Sequence, residues 1–373
     1  MKPERFVSYG GSRVYRLPLD LFPGLRGYAH LVLADPLSVL VDVGSGFGES
    51  NAQLEAGLEA VRSEFDERIG WGNLTHVVVT HGHIDHYGGL PFVRSKTKAL
   101  VGVHELDRRV ITHHEERLAV ITPRLRQFLV EAGVEPEQRE GFMDLYLMTK
   151  HIFASQPVDF TFEASGMRLG NITALHVPGH CPGQVVLRID DVLLAGDLVL
   201  PNTSPHQSPE ELTLYTGLGH YLESLRRLRP WAAGVRWCLG GHERAFENLE
   251  GRLEEIEALH AERLMRVHAE LERPHTIAEL AGILFPDTSG YHTWLALEET
   301  AAHVEYLLLR GALGLEEVDG GEAPSPRRYR QRGPLSLPLP VRASRPVTST
   351  SPVRAARESA HGGIREERVD VRL

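Results

Sequence analysis

The segment Thr80–Gly89, THGHIDHYGG, places three histidines and one aspartate within six residues, directly after the apolar run 77–79. Alternate residues of an extended loop point to the same side, so His81 and His83 can bind one metal ion. Asp85 and His86, just beyond them, can turn towards a second ion. A catalytic zinc site usually has three protein ligands and one open position, so two ligands per ion are too few. The segment therefore predicts further ligands elsewhere in the chain.

Residues of the required types follow three other apolar runs. His180 stands in GHCPG after ITALHVP, Asp197 follows VLLAG, and His242 follows VRWCLG. Glycine or proline flanks each of them, which lets the backbone approach an ion closely. A carboxylate can bridge two cations, and Asp197 is placed to do so. Although the chain contains 20 histidines, coincidence is a weak explanation for ligand types after four separate strands. We therefore predict a site for two divalent metal ions, with zinc preferred and iron or manganese also compatible.

The elements around these residues alternate between strands and helices, which is typical of an α/β fold. Each candidate ligand follows the carboxyl end of a strand, where ligands gather in open α/β sheets. We expect helices at Asn51–Phe65, from His86, at Glu210–Leu228 and at Arg244–His268. The predicted strands are Arg13–Leu17, Tyr28–Ala34, Ser38–Val43, Thr75–Thr80, Ala99–Val103, Asp159–Phe162, Ile172–Val177, Gln184–Ile189, Val192–Ala195 and Val235–Leu239.

Three regions extend this α/β pattern. Residues 105–155 are helical and partly apolar, which fits a lid over a substrate pocket and equally fits a packed hairpin or a dimer contact. Residues 274–332 read as two helices and a hairpin, the order of a winged-helix module. Residues 333–373 are rich in Arg, Pro and Ser, and we expect them to be disordered. The predicted domains are thus a catalytic domain over 1–270, a winged-helix-like domain over 274–332, and the tail.

Composition limits the class of function. The net charge is −10, and the 11 Arg and 5 acidic residues of 321–373 give that region +6, which leaves −16 for the first 320 residues. This balance argues against a nucleic-acid surface without excluding one. The sequence has no apolar signal core at its start and no apolar run long enough to cross a membrane. Two cysteines form no disulfide framework, so we expect a cytoplasmic protein without a membrane partner.

THGHIDH, GHCPG, AGD and GGH, in this order, resemble the metallo-β-lactamase superfamily over about residues 13–268. The resemblance implies a four-layer αβ/βα sandwich. It implies that His81, His83 and His180 hold one metal, that Asp85, His86 and His242 hold the other, and that Asp197 bridges them. Cys181 has no ligand role in this pattern. GHCPGQ is closer to the hydroxyacylglutathione-hydrolase-like branch, and the C-terminal module resembles that of the β-lactamase-like 2 group of endoribonucleases.

The leading hypothesis is a hydrolase for an ester, thioester or lactone of a small apolar acyl compound, using a hydroxide that bridges the two ions. Asp85 would orient that hydroxide and then carry its proton. Tyr87 and His206 are weaker candidates for substrate binding. Tyr87 follows the ligand His86 directly, and His206 ends the stretch after Asp197 that we expect to rim the cleft. A homodimer is a further expectation.

Two other hypotheses use the same residues differently. A phosphodiesterase or single-strand endoribonuclease would explain the winged-helix resemblance and the Arg-rich tail, but the acidic first 320 residues oppose it. A DNA-binding regulator would need a basic recognition helix. The candidate helix, TWLALEETAAHVEYLLLRG, contains Glu298, Glu299 and Glu305 and one Arg, so we interpret the module as structural.

Overall fold

The computed structural model describes residues 2–151, 153–316 and 324–335. Its main feature is a pair of stacked β-sheets. The first sheet has the order β1 to β7, with β1 to β4 antiparallel and β4 to β7 parallel. Its strands are β1 Glu4–Val7, β2 Arg13–Phe22, β3 Leu25–Ala34, β4 Leu37–Val41, β5 His76–Val78, β6 Leu100–Val103 and β7 Phe160–Thr161.

The second sheet has the order β12-β11-β10-β9-β8, and only β11 and β12 run parallel. Its strands are β8 Arg168–Leu169, β9 Ile172–His176, β10 Val185–Ile189, β11 Val192–Gly196 and β12 Trp237–Gly240. The helices are α1 Ser50–Glu64, α2 Ile84–Tyr87, α3 Leu90–Lys96, α4 Glu105–Thr112, α5 His114–Glu131, α6 Pro136–Lys150, α7 Leu218–Ala232, α8 Leu249–Glu270, α9 Ile277–Leu284 and α10 Tyr291–Leu309.

Strand alternation produces the layers. Val192 and Leu194 of β11 face the first sheet, whereas Leu193 and Ala195 of the same strand face the helices on the other side. In β2, Val14 lies between the sheets and Leu17 lies under the outer helices. Because both faces of each sheet are buried, the fold has helices outside two inner sheets, and the predicted four-layer αβ/βα sandwich is confirmed.

Two predicted helices begin later than the sequence pattern indicated. The helix expected from Glu210 begins at Leu218, after Gly217 at a φ of 100°, where a left-handed backbone interrupts helical geometry. The helix expected from Arg244 begins at Leu249, because Phe246 instead pairs with Cys238 beside β12. The side chain of Asn248 then caps that helix by accepting from Gly251 N.

The insertion contributes α4, α5 and α6, and its last helix packs against the C-terminal helices. Phe142 and Tyr146 lie 5.9 and 6.0 Å from Trp294 of α10, measured between ring centroids. After α10, strands β13 Leu313–Leu315 and β14 Tyr329–Gln331 pair antiparallel. The winged-helix assignment stays a prediction, and residues 336–373 of the predicted tail lie outside the described residues. None of the described helices is long and apolar enough to cross a membrane.

Candidate metal centre

The predicted ligands converge where four strands end. His81 and His83 lie between β5 and α2, and Asp85 and His86 lie on α2. The other three follow strands of the second sheet: His180 after β9, Asp197 directly after β11, and His242 after β12. The site therefore lies across the carboxyl edges of both sheets, and residues separated by more than 160 positions in sequence meet there.

Asp197 is the centre of this cluster. Its Oδ2 atom lies 3.2 Å from His242 Nε2 and 3.5 Å from His86 Nε2. It lies 4.0 Å from His81 Nε2 and 3.9 Å from His180 Nε2. One buried carboxylate oxygen thus faces imidazoles from both halves of the site, which is the placement that a bridging ligand needs.

The remaining residues complete two groups around Asp197. The ring of His83 lies 4.9 Å from that of His81 and 4.5 Å from that of His180. On the other side, Asp85 Oδ2 is 3.2 Å from His242 Nε2 and 3.7 Å from His86 Nε2. Within each group the potential ligand atoms lie within 4.8 Å of one another. The structure thus brings all seven predicted residues together. It also places Cys181, which has no ligand role in the sequence pattern, in the group of His81, His83 and His180.

Hydrogen bonds on the far side of each ring fix which nitrogen faces the site. His86 Nδ1 lies 2.9 Å from Asp42 Oδ2, and His242 Nδ1 lies 2.7 Å from the carbonyl of Arg26. His180 Nδ1 lies 2.8 Å from the carbonyl of His206. Because these partners accept, each Nδ1 carries a proton, and Nε2 is the nitrogen of each ring that faces the site.

Thr80 orients His81 in the same way, through a hydrogen bond to Nδ1. Its hydroxyl donates to Asp42 Oδ2 at 2.8 Å and accepts from His81 Nδ1 at 3.0 Å. Asp42 therefore orients His86 directly and His81 through Thr80. The sequence pattern predicts no function for Asp42 and places it only in the strand Ser38–Val43. Its position at the end of a buried strand, like that of Asp197, was the available signal.

Orphaned polar atoms test whether metal ions fit the site. The Nε2 atoms of His81, His86 and His180 and Oδ1 of Asp197 are buried and lack hydrogen-bond partners. Buried polar atoms are nearly always satisfied, and these point to one another across the site. Divalent cations bound by imidazole nitrogen and carboxylate oxygen would satisfy all of them. The donor set therefore fits the metal ions that the sequence predicts.

Charge compensation leads to the same conclusion. Burial would raise the pKa of Asp197, but His242 and His86 reverse this and hold it well below its usual range. Burial would lower the pKa of His242, but Asp197 and Asp85 raise it to about 12. The carboxylates are thus stable as anions only with positive charge beside them. Metal ions supply that charge and compete with protons for the same nitrogens.

Asp107 was missed by the sequence interpretation, although it supports both ligand loops. Its Oδ2 accepts from Gly82 N at 2.8 Å, between His81 and His83, and its Oδ1 accepts from Gly183 N at 2.9 Å. These loops come from different sheets, so one side chain holds them together. Asp107 lies at 0% exposure, and burial raises its pKa to about 6. No sequence pattern marks it, because it lies on an ordinary helix.

The two weaker candidates have other contacts. Tyr87 is 1% exposed, packs 4.7 Å from Phe153 between ring centroids, and has its hydroxyl 3.4 Å from His114 Nδ1. The ring of His206 forms an ion pair with Glu298 at 3.1 Å. The backbone carbonyl of His206 supports His180, so this residue acts on the site through its main chain. A substrate contact by either side chain stays a prediction.

Comparisons with known proteins agree with this architecture. A sequence model of the metallo-beta-lactamase superfamily matches residues 23–265. A metallo-beta-lactamase family protein from Thermus thermophilus is 28% identical, with a TM-score of 0.66, and the alignment covers 86% of this chain and 98% of that one. A beta-lactamase domain protein from Burkholderia ambifaria shares the fold at 23% identity and a TM-score of 0.66, over 88% of this chain and 94% of that one. No curated protein matches the sequence.

The chain belongs to the metallo-beta-lactamase superfamily. Members of this superfamily are generally metal-dependent hydrolases and bind divalent metal ions. The predicted family and enzyme class are therefore confirmed, and the described fold carries clusters of His and Asp suited to metal binding.

Replacing Asp42 by Asn tests the orientation of His86. Asn tolerates the left-handed backbone at this position, where φ is 59°, but its amide nitrogen cannot accept from His86 Nδ1. We expect affinity for the metal ion held by His86 to fall by about 10- to 100-fold. Competition with a chromogenic chelator measures this affinity. Asp66→Asn is the matched control, since Asp66 is exposed and also left-handed at φ 55°. Unchanged affinity in Asp42→Asn would show that this hydrogen bond does not prepare the ligand.

Replacing Asp107 by Asn tests its buried charge. A carboxyl whose folded pKa is about 6, against an ordinary 3.8, favours folding in its neutral form. The free energy of unfolding of the wild type should therefore decrease from pH 4 to pH 6, by up to about 3 kcal/mol relative to Asp107→Asn. Urea unfolding of the metal-free proteins across this range measures the difference. Parallel pH profiles would mean that Asp107 ionises normally.

Proposed function

We propose that this chain is a binuclear metal-dependent hydrolase acting on an ester, thioester or lactone of a small acyl compound. The observation that carries the proposal is the convergence of five imidazoles and two carboxylates on one buried edge. Four of the imidazoles have Nδ1 bound elsewhere and Nε2 directed at the cluster. Such an arrangement has no role in packing, because it leaves buried polar atoms without partners.

His81, His83 and His180 would hold one ion, and Asp85, His86 and His242 would hold the other. Asp197 would contact both. The nitrogen-rich set suits zinc best and also accommodates iron or manganese. His242 and His86 each lie beside both carboxylates, Asp85 and Asp197. This concentration of negative charge supports a second ion.

When bound, two such ions would supply a water with a pKa near 7 and would polarise a carbonyl oxygen. The chain itself supplies orientation and proton transfer. Asp85 lies at the rim of the cluster, with its side chain 15% exposed against 9% for Asp197. Oδ2 of Asp85 is thus the carboxylate oxygen more open to substrate. We assign it the role of accepting the proton of the attacking water and passing it to the leaving group.

The surroundings support a small-molecule substrate. Helices α5 and α6 of the insertion connect to the site through His114 and Tyr87, and α10 connects through the ion pair of Glu298 with His206. All three helices carry apolar and aromatic side chains. A nucleic-acid substrate would need a basic track along the cleft, whereas the first 320 residues are acidic. We therefore rank a phosphodiesterase second. A cytoplasmic location, a homodimer and a structural role for residues 274–332 are part of the same proposal.

Metal content and turnover in His83→Ala test the proposal together. The wild type should contain two metal ions per chain, and the variant should lose at least one. It should also lose turnover of an acyl thioester or homoserine lactone by about a thousandfold, since Lewis-acid stabilisation is worth several kcal/mol. Elemental analysis and a colorimetric assay provide the measurements. His113→Ala is the control, because His113 is exposed and outside the site.

Three results would count against this function. Protein purified without metal, and unable to bind zinc, iron or manganese, would remove the binuclear site. Full activity of His83→Ala would separate the activity from the site. Turnover of bis-p-nitrophenyl phosphate without turnover of any ester, thioester or lactone would favour the phosphodiesterase instead.

A further inference from the structure

The insertion is fastened to the metal centre through His114. The Nδ1 atom of His114 lies 3.4 Å from the hydroxyl of Tyr87, the residue after the ligand His86. Its Nε2 atom lies 2.8 Å from the backbone carbonyl of Lys150, in the last turn of α6. Phe153 packs on both rings, 4.7 Å from Tyr87 and 5.1 Å from His114. The position of Lys150 is therefore fixed relative to the metal ligands.

The ammonium group of Lys150 lies within electrostatic range of the metal centre. It interacts electrostatically with the ligands His83 and Asp85 and with the thiol of Cys181. Its Nζ atom lies 5.6 Å from the ring centroid of Tyr146. Within the described residues, this ammonium group forms no ion pair and no hydrogen bond.

Arg117 adds a second cation on the facing helix, α5. Its guanidinium group interacts electrostatically with Tyr87, Asp107, Tyr146, Lys150 and Cys181. It too lacks an ion pair or hydrogen bond among residues 2–151, 153–316 and 324–335. Both side chains are half-buried. Two like charges thus lie beside the ligands, and neither forms an ion pair with a carboxylate of the described residues.

The anions near these cations already have partners. Glu298 of α10 is paired with His206, and Asp85 is paired with His242. Burial lowers the pKa of Lys150, and Asp85 opposes this effect. Placing unpaired like charges in a half-buried site costs free energy. Such a placement beside a candidate catalytic centre is typical of a site that binds an anion.

We propose that Lys150 and Arg117 form an anion subsite beside the metal centre, which binds a carboxylate or phosphate carried by the acyl compound. The proposal rests on the proposed function, since it assigns the substrate of the same site. The preferred substrate then has a second anionic group close to the scissile bond, rather than a purely apolar acyl chain. The insertion acts as a specificity element, with its helices carrying one cation each.

Binding of short carboxylates to the metal-loaded protein tests the subsite without turnover. Butyrate and glutarate each offer one carboxylate to the metals, and glutarate offers a second to the cations. We expect glutarate to bind the wild type at least about tenfold more tightly in calorimetry. Lys150→Gln and Arg117→Gln should each reduce this preference, and Lys150→Arg should retain it. Arg124→Gln is the matched control, an exposed arginine on the same helix. 3-Phosphonopropionate, compared with glutarate, distinguishes phosphate from carboxylate.

Equal binding of glutarate and butyrate by the wild type would overturn the subsite. So would a glutarate preference that persists in the Lys150→Gln, Arg117→Gln double variant. Hydrolysis separates this failure from failure of the proposed function. Turnover of butyryl and glutaryl thioesters at equal kcat/KM leaves the hydrolase intact and removes the subsite. If no thioester or ester is hydrolysed but glutarate selectivity still depends on Lys150, the proposed hydrolase is wrong and the proposed subsite stands.

Discussion

The buried carboxylate of Asp197 is the constraint on which the rest of the structure depends. Four imidazole nitrogens lie within 4.0 Å of its Oδ2 atom, and they come from the segments that follow three strands, β5, β9 and β12. A buried anion is tolerated only with compensating charge and well-oriented donors. The fold meets that requirement by ending four strands at one edge. As a result, several buried nitrogen and oxygen atoms at that edge have no hydrogen-bond partner among the described residues.

The second level of organisation is the set of side chains that hold the ligands. Asp42 and Thr80 orient His86 and His81 through hydrogen bonds to their Nδ1 atoms. Asp107 joins the loops that carry His83 and His180. Each of these supports acts across elements rather than within one. Gly241 shows how closely the parts meet, since a Cβ atom there would lie 2.5 Å from Asp197 Oδ1. The candidate ligands are consequently oriented by contacts within the protein, which favours metal affinity.

The outer elements pack around this centre. Helices α5 and α6 are attached to the ligand loop through Tyr87 and His114, and α6 is attached to α10 through Trp294. The superfamily core carries the candidate metal ligands, whereas this attached layer carries the residues that we propose select the substrate. That separation explains why family membership identifies the reaction class and leaves the substrate to be found from the surroundings.

The sequence by itself determined the α/β layers, the seven candidate ligands and the family, because strand periodicity and ligand spacing are local properties. It misplaced the starts of α7 and α8, where a left-handed glycine and a distant bridge to Cys238 override helical periodicity. Only the tertiary structure decided which nitrogen each histidine presents, and that Asp107, Lys150 and Arg117 stand beside the site. These depend on contacts between residues far apart in the chain, and side-chain type and spacing carry no information about such contacts.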